Sequence, residues 1–286
     1  MTSYDIFHNI ALNWMIPTYF FLGGLSAGLF FIAVAFTYWK TDYKTLAQPA
    51  AILSPLVLAA GMGLLTMDLG HPLKFWRLMV TFQPSSAASW GTWLLSIFFM
   101  VNAYFAYLLI KGEDAKAKRI GYAGLPLAFC GATYTGFLLA QMQGRALWHT
   151  ALMPWLFLVG SVITALALVI LISIVLGKAE ALKDKFFLLG RTLAWLVVLE
   201  VAMIAIEILV LLNGGTDAIA GAKVLLKGNY SFLFWVVEIF LGAVVPLSIL
   251  FNRDRSRKLS LQSIAAALIL IGIFAMRFIV VMAGQI

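Results

Sequence analysis

Residues 14–38 read WMIPTYFFLGGLSAGLFFIAVAFTY, without a single charged side chain. About 20 mainly apolar residues carry a helix across the hydrocarbon of a bilayer, and a run this apolar all round has no polar face to turn to water. Seven further runs follow at 47–67, 89–110, 120–142, 153–177, 187–213, 230–251 and 259–282, each bounded by charge, Gly or Pro. The predicted fold is an all-α integral membrane protein of eight transmembrane helices, one membrane domain over residues 1–286. Barrel strands are short and alternate, which these runs do not. Composition agrees, with 63% of the 286 residues apolar or aromatic and 11% charged, against about a quarter charged in a soluble domain. That balance excludes a disordered chain, a disulfide scaffold and a secreted globular enzyme.

The net charge is +8, yet nucleic acid is not the expected partner, because the charges lie in short clusters between the runs. The loops after helices one, three, five and seven carry Lys40, Lys44; Lys111, Lys116, Lys118, Arg119; Lys178, Lys183, Lys185, Arg191; and Arg253, Arg255, Arg257, Lys258. The opposite loops carry Lys74, Arg77, Arg145, Lys223 and Lys227. Basic residues accumulate on the cytoplasmic side, so this bias predicts both termini outside. The first ten residues lack a basic start and the first run continues into the body of the protein, so no cleavable signal peptide is expected. The outer loops are chemically richer: 68–88 reads DLGHPLKFWRLMVTFQPSSAA and 141–153 reads QMQGRALWHTALM.

The single cysteine, Cys130, excludes a cluster or disulfide held by this chain alone. His8, His71 and His149 fall outside or at the rim of the runs, so neither an intramembrane haem nor another metal centre is expected. Ionisable residues inside a bilayer each cost about 2.5–3.5 kcal/mol or more unless paired or hydrated. Glu200, Glu207, Glu238 and Arg277 are such residues, with Asp68 at the outer end of helix two. Glu200 and Glu207, two turns apart on one face, must look inward. Two readings stay open: an ion pair between Glu207 and Arg277 beside a hydrogen-bonded glutamate, or a proton path.

The run Gly23-Gly24-Leu25-Ser26-Ala27-Gly28 reads as a close-packing face. Tyr134, in Tyr134-Thr-Gly-Phe-Leu-Leu-Ala-Gln141, is on these grounds an interfacial anchor or a packed phenol. Trp76, Trp90, Trp93, Trp148 and Trp155 read as an interfacial belt. Helices one and five share Pro-x-x-Phe-x-x-Gly, at Pro17-Phe20-Gly23 and Pro154-Phe157-Gly160. A repeat with that spacing would relate two parallel four-helix bundles, 14–142 and 153–282.

Taken together, Pro17 to Gly28, Asp68-Leu-Gly-His71-Pro72, Phe75-Trp76-Arg77-Leu78-Met79, Tyr134-Thr-Gly-Phe-Leu-Leu, Met276-Arg277-Phe278 and Ala283-Gly284-Gln285 resemble the NrfD/PsrC-type membrane subunit of polysulfide reductase and related bacterial respiratory complexes. The resemblance covers nearly the whole chain. It implies a haem-free subunit of the bacterial inner membrane with a quinone site, for menaquinone or ubiquinone, at the periplasmic end of the first bundle. It also implies a periplasmic four-cluster iron-sulfur partner, which connects to a molybdopterin enzyme or a multihaem cytochrome. Tyr134 falls on the family's quinone-contacting tyrosine and Asp68 on its acidic position. Tyr19 stands where polysulfide reductase has a quinone-binding His.

Quinol oxidation removes two electrons and two protons, so the site needs a hydrogen-bond donor to the ring oxygens and a proton acceptor open to water. Tyr134 suits the first role and Asp68, with His71 close by, the second; Tyr19 and Gln141 complete the candidate quinone contacts. A secondary transporter and a purely structural anchor are the rival readings.

Overall fold

The computed structural model describes residues 12–69, 71–84, 86–142, 144–177 and 183–285. His8 and Lys178 lie outside the described residues.

The described residues are helical, and eight helices are long and apolar enough to span a bilayer, as expected. The spans are α1 (Met15–Tyr38), α2 (Lys44–Asp68), α4 (Ala87–Lys111), α5 (Asp114–Ala140), α6 (Met153–Val175), α7 (Lys183–Leu212), the π-helical Leu233–Val244 continued by α9 (Val245–Leu250), and α11 (Leu259–Ala283). Three shorter helices lie between them: α3 (Arg77–Val80), α8 (Thr216–Leu226) and α10 (Arg253–Ser256). Eleven residues are too few to cross the hydrocarbon, so α8 covers the end where the 69–86 and 141–152 loops also lie. That end is the loop-rich end, and the other is the basic end.

Local chemistry sets several of the boundaries. Gly112 closes α4 in the left-handed region at φ 72°, its N–H returning to Leu108 and Leu109. Pro154 opens α6, where a missing N–H costs nothing. The Asn252 side chain caps α10 by accepting from the N–H groups of Asp254 and Arg255. Residues Leu233–Val244 form a continuous π-helix with Glu238 at its middle, a widened ladder of a kind that often accompanies functional sites.

The hub is α1, which packs on α2, α5, α6 and α11. In its most apolar window 78% of residues are buried, against 28% in α2, so α1 faces protein where α2 still faces lipid. With no hydrophobic drive between helices in lipid, association rests on close packing and interhelical hydrogen bonds worth about 0.6–2 kcal/mol each. The small face of α1 supplies the first: a Cβ on Gly28 would overlap the Ser161 carbonyl of α6. A buried triad supplies the second. Ser26 Oγ donates to the Ser54 carbonyl at 2.8 Å, Ser54 Oγ donates to the Ser26 carbonyl at 2.7 Å, and Asn102 Nδ2 donates to Ser54 Oγ at 2.7 Å. It ties α1, α2 and α4 together.

Trp148 departs from the predicted belt. Trp76, Trp90, Trp93 and Trp155 are exposed, but Trp148 is buried and its Nε1 donates to the Val280 carbonyl at 2.6 Å. The 141–152 loop folds inward onto α11, where Gly284 leaves room for the indole.

Candidate functional site

Two tyrosines lie near the loop-rich end. Tyr134 of α5 lays its ring against α4, with its hydroxyl donating to the Ala87 carbonyl at 3.1 Å. Gly91 permits this, since a Cβ there would fall on the Tyr134 hydroxyl and Cζ. Tyr19 of α1 is 2% exposed and packs against Gly61 of α2. The two phenols lie within electrostatic range of each other. Tyr19 Oη and, on α5, Thr135 Oγ1 are buried without a hydrogen-bond partner. An unpaired buried hydroxyl costs about 1–3 kcal/mol, so the Tyr19 hydroxyl could take a ligand oxygen as partner.

The other candidates at this end stand one tier higher. Asp68 is the last residue of α2, seven positions beyond Gly61, and Gln141 follows the end of α5, seven beyond Tyr134. At 1.5 Å per residue both lie about 10 Å above the phenols along their helices. Asp68 is half-buried, while His71 and Gln141 are exposed. No hydrogen bond joins Asp68 or His71 to either tyrosine among the described residues. Above them the 71–84 segment presents apolar side chains, with Leu73 90% exposed and Trp76, Val80 and Phe82 also open.

A second constellation occupies the interior between α1, α6, α7, α11 and the π-helix. Arg277 is fully buried. Its Nη1 donates to the Phe20 carbonyl at 3.1 Å, and its Nη2 donates to the Phe157 carbonyl and to Ser161 Oγ at 3.0 Å. The guanidinium also lies 4.5 Å from the centre of the Phe157 ring. Phe20 and Phe157 are the matching positions of the Pro-x-x-Phe-x-x-Gly pair, and their rings meet edge to face at 6.0 Å. Gly24 gives the guanidinium its space, since a Cβ there would lie 2.7 Å from Nη2.

An ion pair between Arg277 and Glu207, one of the two readings the sequence left open, is not found among the described residues. The arginine charge acts on Glu200, and Glu207 instead accepts from Thr150 Oγ1 at 3.1 Å. The reason is that the 141–152 loop folds over the end of α7 and delivers Thr150, while Arg277 is drawn to carbonyls of α1 and α6. Glu200 and Glu207 are buried, as the inward face predicts, and so is Glu238. Glu207 and Glu238 line one cavity of about 40 Å³. That is room for water, which needs about 10–15 Å³ for its centre.

Sequence reasoning missed Gly91, Thr135, Thr150, Ser161 and the Ser26–Ser54–Asn102 triad. Asn102 carried a signal, a carboxamide in the middle of an apolar run, of the same kind that marked the glutamates. The others carried none, because their importance lies in what another helix brings to them.

Eight spans, a buried and a half-buried tyrosine near one end and a row of buried carboxylates define a multi-pass membrane protein with polar machinery held inside its helix packing. The chain belongs to the NrfD family: the family described as Polysulphide reductase, NrfD matches residues 4–286. It is 27% identical to a polysulfide reductase chain of Wolinella succinogenes, over 99% of this sequence and 97% of that one. It is 24% identical to a selenate reductase subunit of Mesobacillus selenatarsenatis, over 94% of this sequence and 72% of that one. It is 25% identical to the Hdr-like menaquinol oxidoreductase integral membrane subunit of Archaeoglobus fulgidus, over 92% and 68%.

Proposed function

We propose that this chain is the quinol-reacting membrane subunit of a respiratory oxidoreductase complex, exchanging electrons between menaquinol and a periplasmic iron-sulfur subunit. The observation that carries the reading is the buried, unpartnered Tyr19 hydroxyl at the end of the bundle where Tyr134 also lies. The free Tyr19 hydroxyl offers a hydrogen bond to a ring oxygen, while Tyr134, whose proton goes to the Ala87 carbonyl, can accept one from a quinol hydroxyl, and the surrounding helices exclude water from the ring. The name of the Archaeoglobus relative, a menaquinol oxidoreductase subunit, accords with that chemistry.

Tyr134 and Tyr19 hold the quinol oxygens and position the ring. Each quinol hydroxyl gives up its proton as the ring gives up an electron, two of each per turnover. Asp68 is the proton acceptor, and water bridges the tier between it and the phenols; His71, exposed beyond it, passes protons outward. The exposed Leu73, Trp76, Val80 and Phe82 form the docking surface for the iron-sulfur subunit, which takes the electrons onward to a molybdopterin or multihaem partner. The loop-rich end faces the periplasm of the inner membrane. The site belongs to a first bundle, 14–142, joined to a second, 153–282, along the Arg277 seam.

A second activity is favoured by the water-sized cavity between Glu207 and Glu238. With Glu200 and Arg277 these carboxylates form a proton path through the second bundle. The primary reading is tested by titrating quinone into the purified full chain. Tyr19→Phe and Tyr134→Phe should each weaken binding and slow quinol-dependent turnover of the complex. Full turnover and unchanged binding in both would remove the phenols from the site.

A further inference from the structure

The connection from α5 to α6 folds back over the end of α7, and side chains at 145–150 pin it in place. Arg145 Nη1 donates to the Gln285 carbonyl, and Trp148 Nε1 to the Val280 carbonyl of α11, both at 2.6 Å. His149 Nδ1 donates to the Ala140 carbonyl at the end of α5, at 2.8 Å. Between these anchors the chain makes a tight turn, with the N–H groups of Trp148 and His149 both donating to the Arg145 carbonyl at 3.0 Å. The turn sends Leu147 inward and carries Thr150 to α7, where its hydroxyl donates to Glu207 Oε2 at 3.1 Å.

Beneath this turn lies the cavity shared by Glu207 and Glu238. Among the described residues its other lining side chains are apolar; toward the loop-rich end they are Leu147 of the turn, Leu211 of α7 and Leu225 of α8. All three are buried, and Leu147 sits so close to α8 that a Cβ on Gly221 would meet its Cδ1 at 3.4 Å. Hydrocarbon therefore closes the cavity on the side nearest water, and hydrocarbon passes no proton. Glu207 is itself 8% exposed. Its partner Thr150 is half-buried and lies between the exposed His149 and Ala151, so this residue joins the carboxylate to the surface. Other charged groups nearby are engaged elsewhere: Arg277 of α11 with the Phe20 and Phe157 carbonyls, Arg145 and His149 with the Gln285 and Ala140 carbonyls. Glu238 of the π-helix shares the cavity, and Glu200 lies two turns further along α7.

We propose that Thr150 is the relay through which the buried carboxylates exchange protons with water at the loop-rich face, a role that rests on the proton-path reading above. A hydroxyl suits it, having one proton to give and lone pairs to receive another. Inward, a hydronium ion gives a proton to Thr150 Oγ1 as the hydroxyl's own proton passes to Glu207 Oε2. One O–H bond forms on each of these oxygens and one breaks on the hydronium and on Thr150, so the threonine ends neutral and Glu207 becomes a neutral acid. Outward, Glu207 returns a proton to Oγ1 and the hydroxyl's proton leaves to water. No electrons move in either direction. Glu238 is the next acceptor, reached through water in the shared cavity.

The test follows Glu207 by time-resolved infrared spectroscopy of the full chain in lipid nanodiscs after a jump from alkaline to acid buffer. The carboxylic C=O band that is missing in Glu207→Gln reports its protonation. Thr150→Val keeps the shape and removes the hydroxyl, whereas Thr150→Ser keeps the hydroxyl and removes a methyl group. Protonation of Glu207 should slow about a hundredfold in Thr150→Val, the lower end of what a positioned proton-transfer group contributes. Thr150→Ser should keep the wild-type rate, a split that loss of packing alone would not produce. Equal rates in all three chains overturn the relay, because water then reaches Glu207 by another way. Equal slowing in both variants also overturns it, because the residue then acts only by seating the turn. The path itself is read separately, as turnover-linked membrane potential of the complex in proteoliposomes. Absence of a potential with the Val and Ser split intact removes the path and leaves the relay as an exchange with outer water. If Glu207 of the unaltered chain takes up no proton, path and relay fail together.

Discussion

Gly91→Ala puts one methyl group where the Tyr134 ring now lies. The added Cβ would overlap both the hydroxyl and Cζ of Tyr134, so either the ring swings off α4 or α4 and α5 separate. Overpacking of this kind costs about 1–3 kcal/mol, and the ring is the more mobile of the two. Swinging it away breaks the bond from Tyr134 to the Ala87 carbonyl, worth about 1 kcal/mol. It also displaces the phenol from Tyr19. We expect quinone Kd for the full chain to rise about tenfold, or about 1.4 kcal/mol, with quinol-dependent turnover of the complex falling in step. Gly63→Ala on α2 is the matched control, since a Cβ there meets nothing within 4 Å; it should change neither. A double-mutant cycle separates site from scaffold. In a Tyr134→Ala background, Gly91→Ala should add no further loss. Wild-type affinity in Gly91→Ala, or fully additive losses in the cycle, would refute the claim that Gly91 acts by seating Tyr134.

Arg277→Lys should lower thermal stability in detergent by about 2–4 kcal/mol, because one ammonium cannot match the planar fork that holds the Phe20 and Phe157 carbonyls. An unchanged melting temperature would show that the fork is not a clamp. Glu238→Gln should abolish any turnover-linked membrane potential in proteoliposomes while leaving quinone binding intact; a potential equal to wild type would take Glu238 out of the proton path. Asn102→Leu should cost within about 1 kcal/mol of stability, since Ser26 and Ser54 still satisfy each other. A loss of several kcal/mol would mean that the carboxamide organises the packing of α1, α2 and α4.

Span positions were legible because lipid imposes a length and a composition that show in one dimension. The sequence boundaries 14–38 and 259–282 differ from α1 and α11 by a residue. The inward face of Glu200 and Glu207 was legible for the same reason, since a carboxylate turned to lipid is too costly. The π-helix around Glu238 was not, because its apolar run looks the same in α and π ladders. Trp148 was read as an interfacial belt residue because loop position suggests the interface; its burial depends on where α11 ends. The sequence left the partner of Arg277 open, because depth along a helix says nothing about which neighbour faces it.

The sequence alone therefore determined what the bilayer enforces: eight spans, an all-helical chain, and a small set of charges that have to be hidden. It also marked Tyr134 and Tyr19, by resemblance. The tertiary structure decided which of those residues meet. It buried Tyr19 without a partner, turned the Tyr134 hydroxyl to the Ala87 carbonyl, left Asp68 a tier above, assigned Thr150 to Glu207, and set Arg277 between the two matching phenylalanines. Solvation by lipid acts on each segment separately and leaves its mark in composition. Helix contacts depend on rotation and crossing geometry, which a glycine such as Gly91 permits without announcing the side chain that will fill its space.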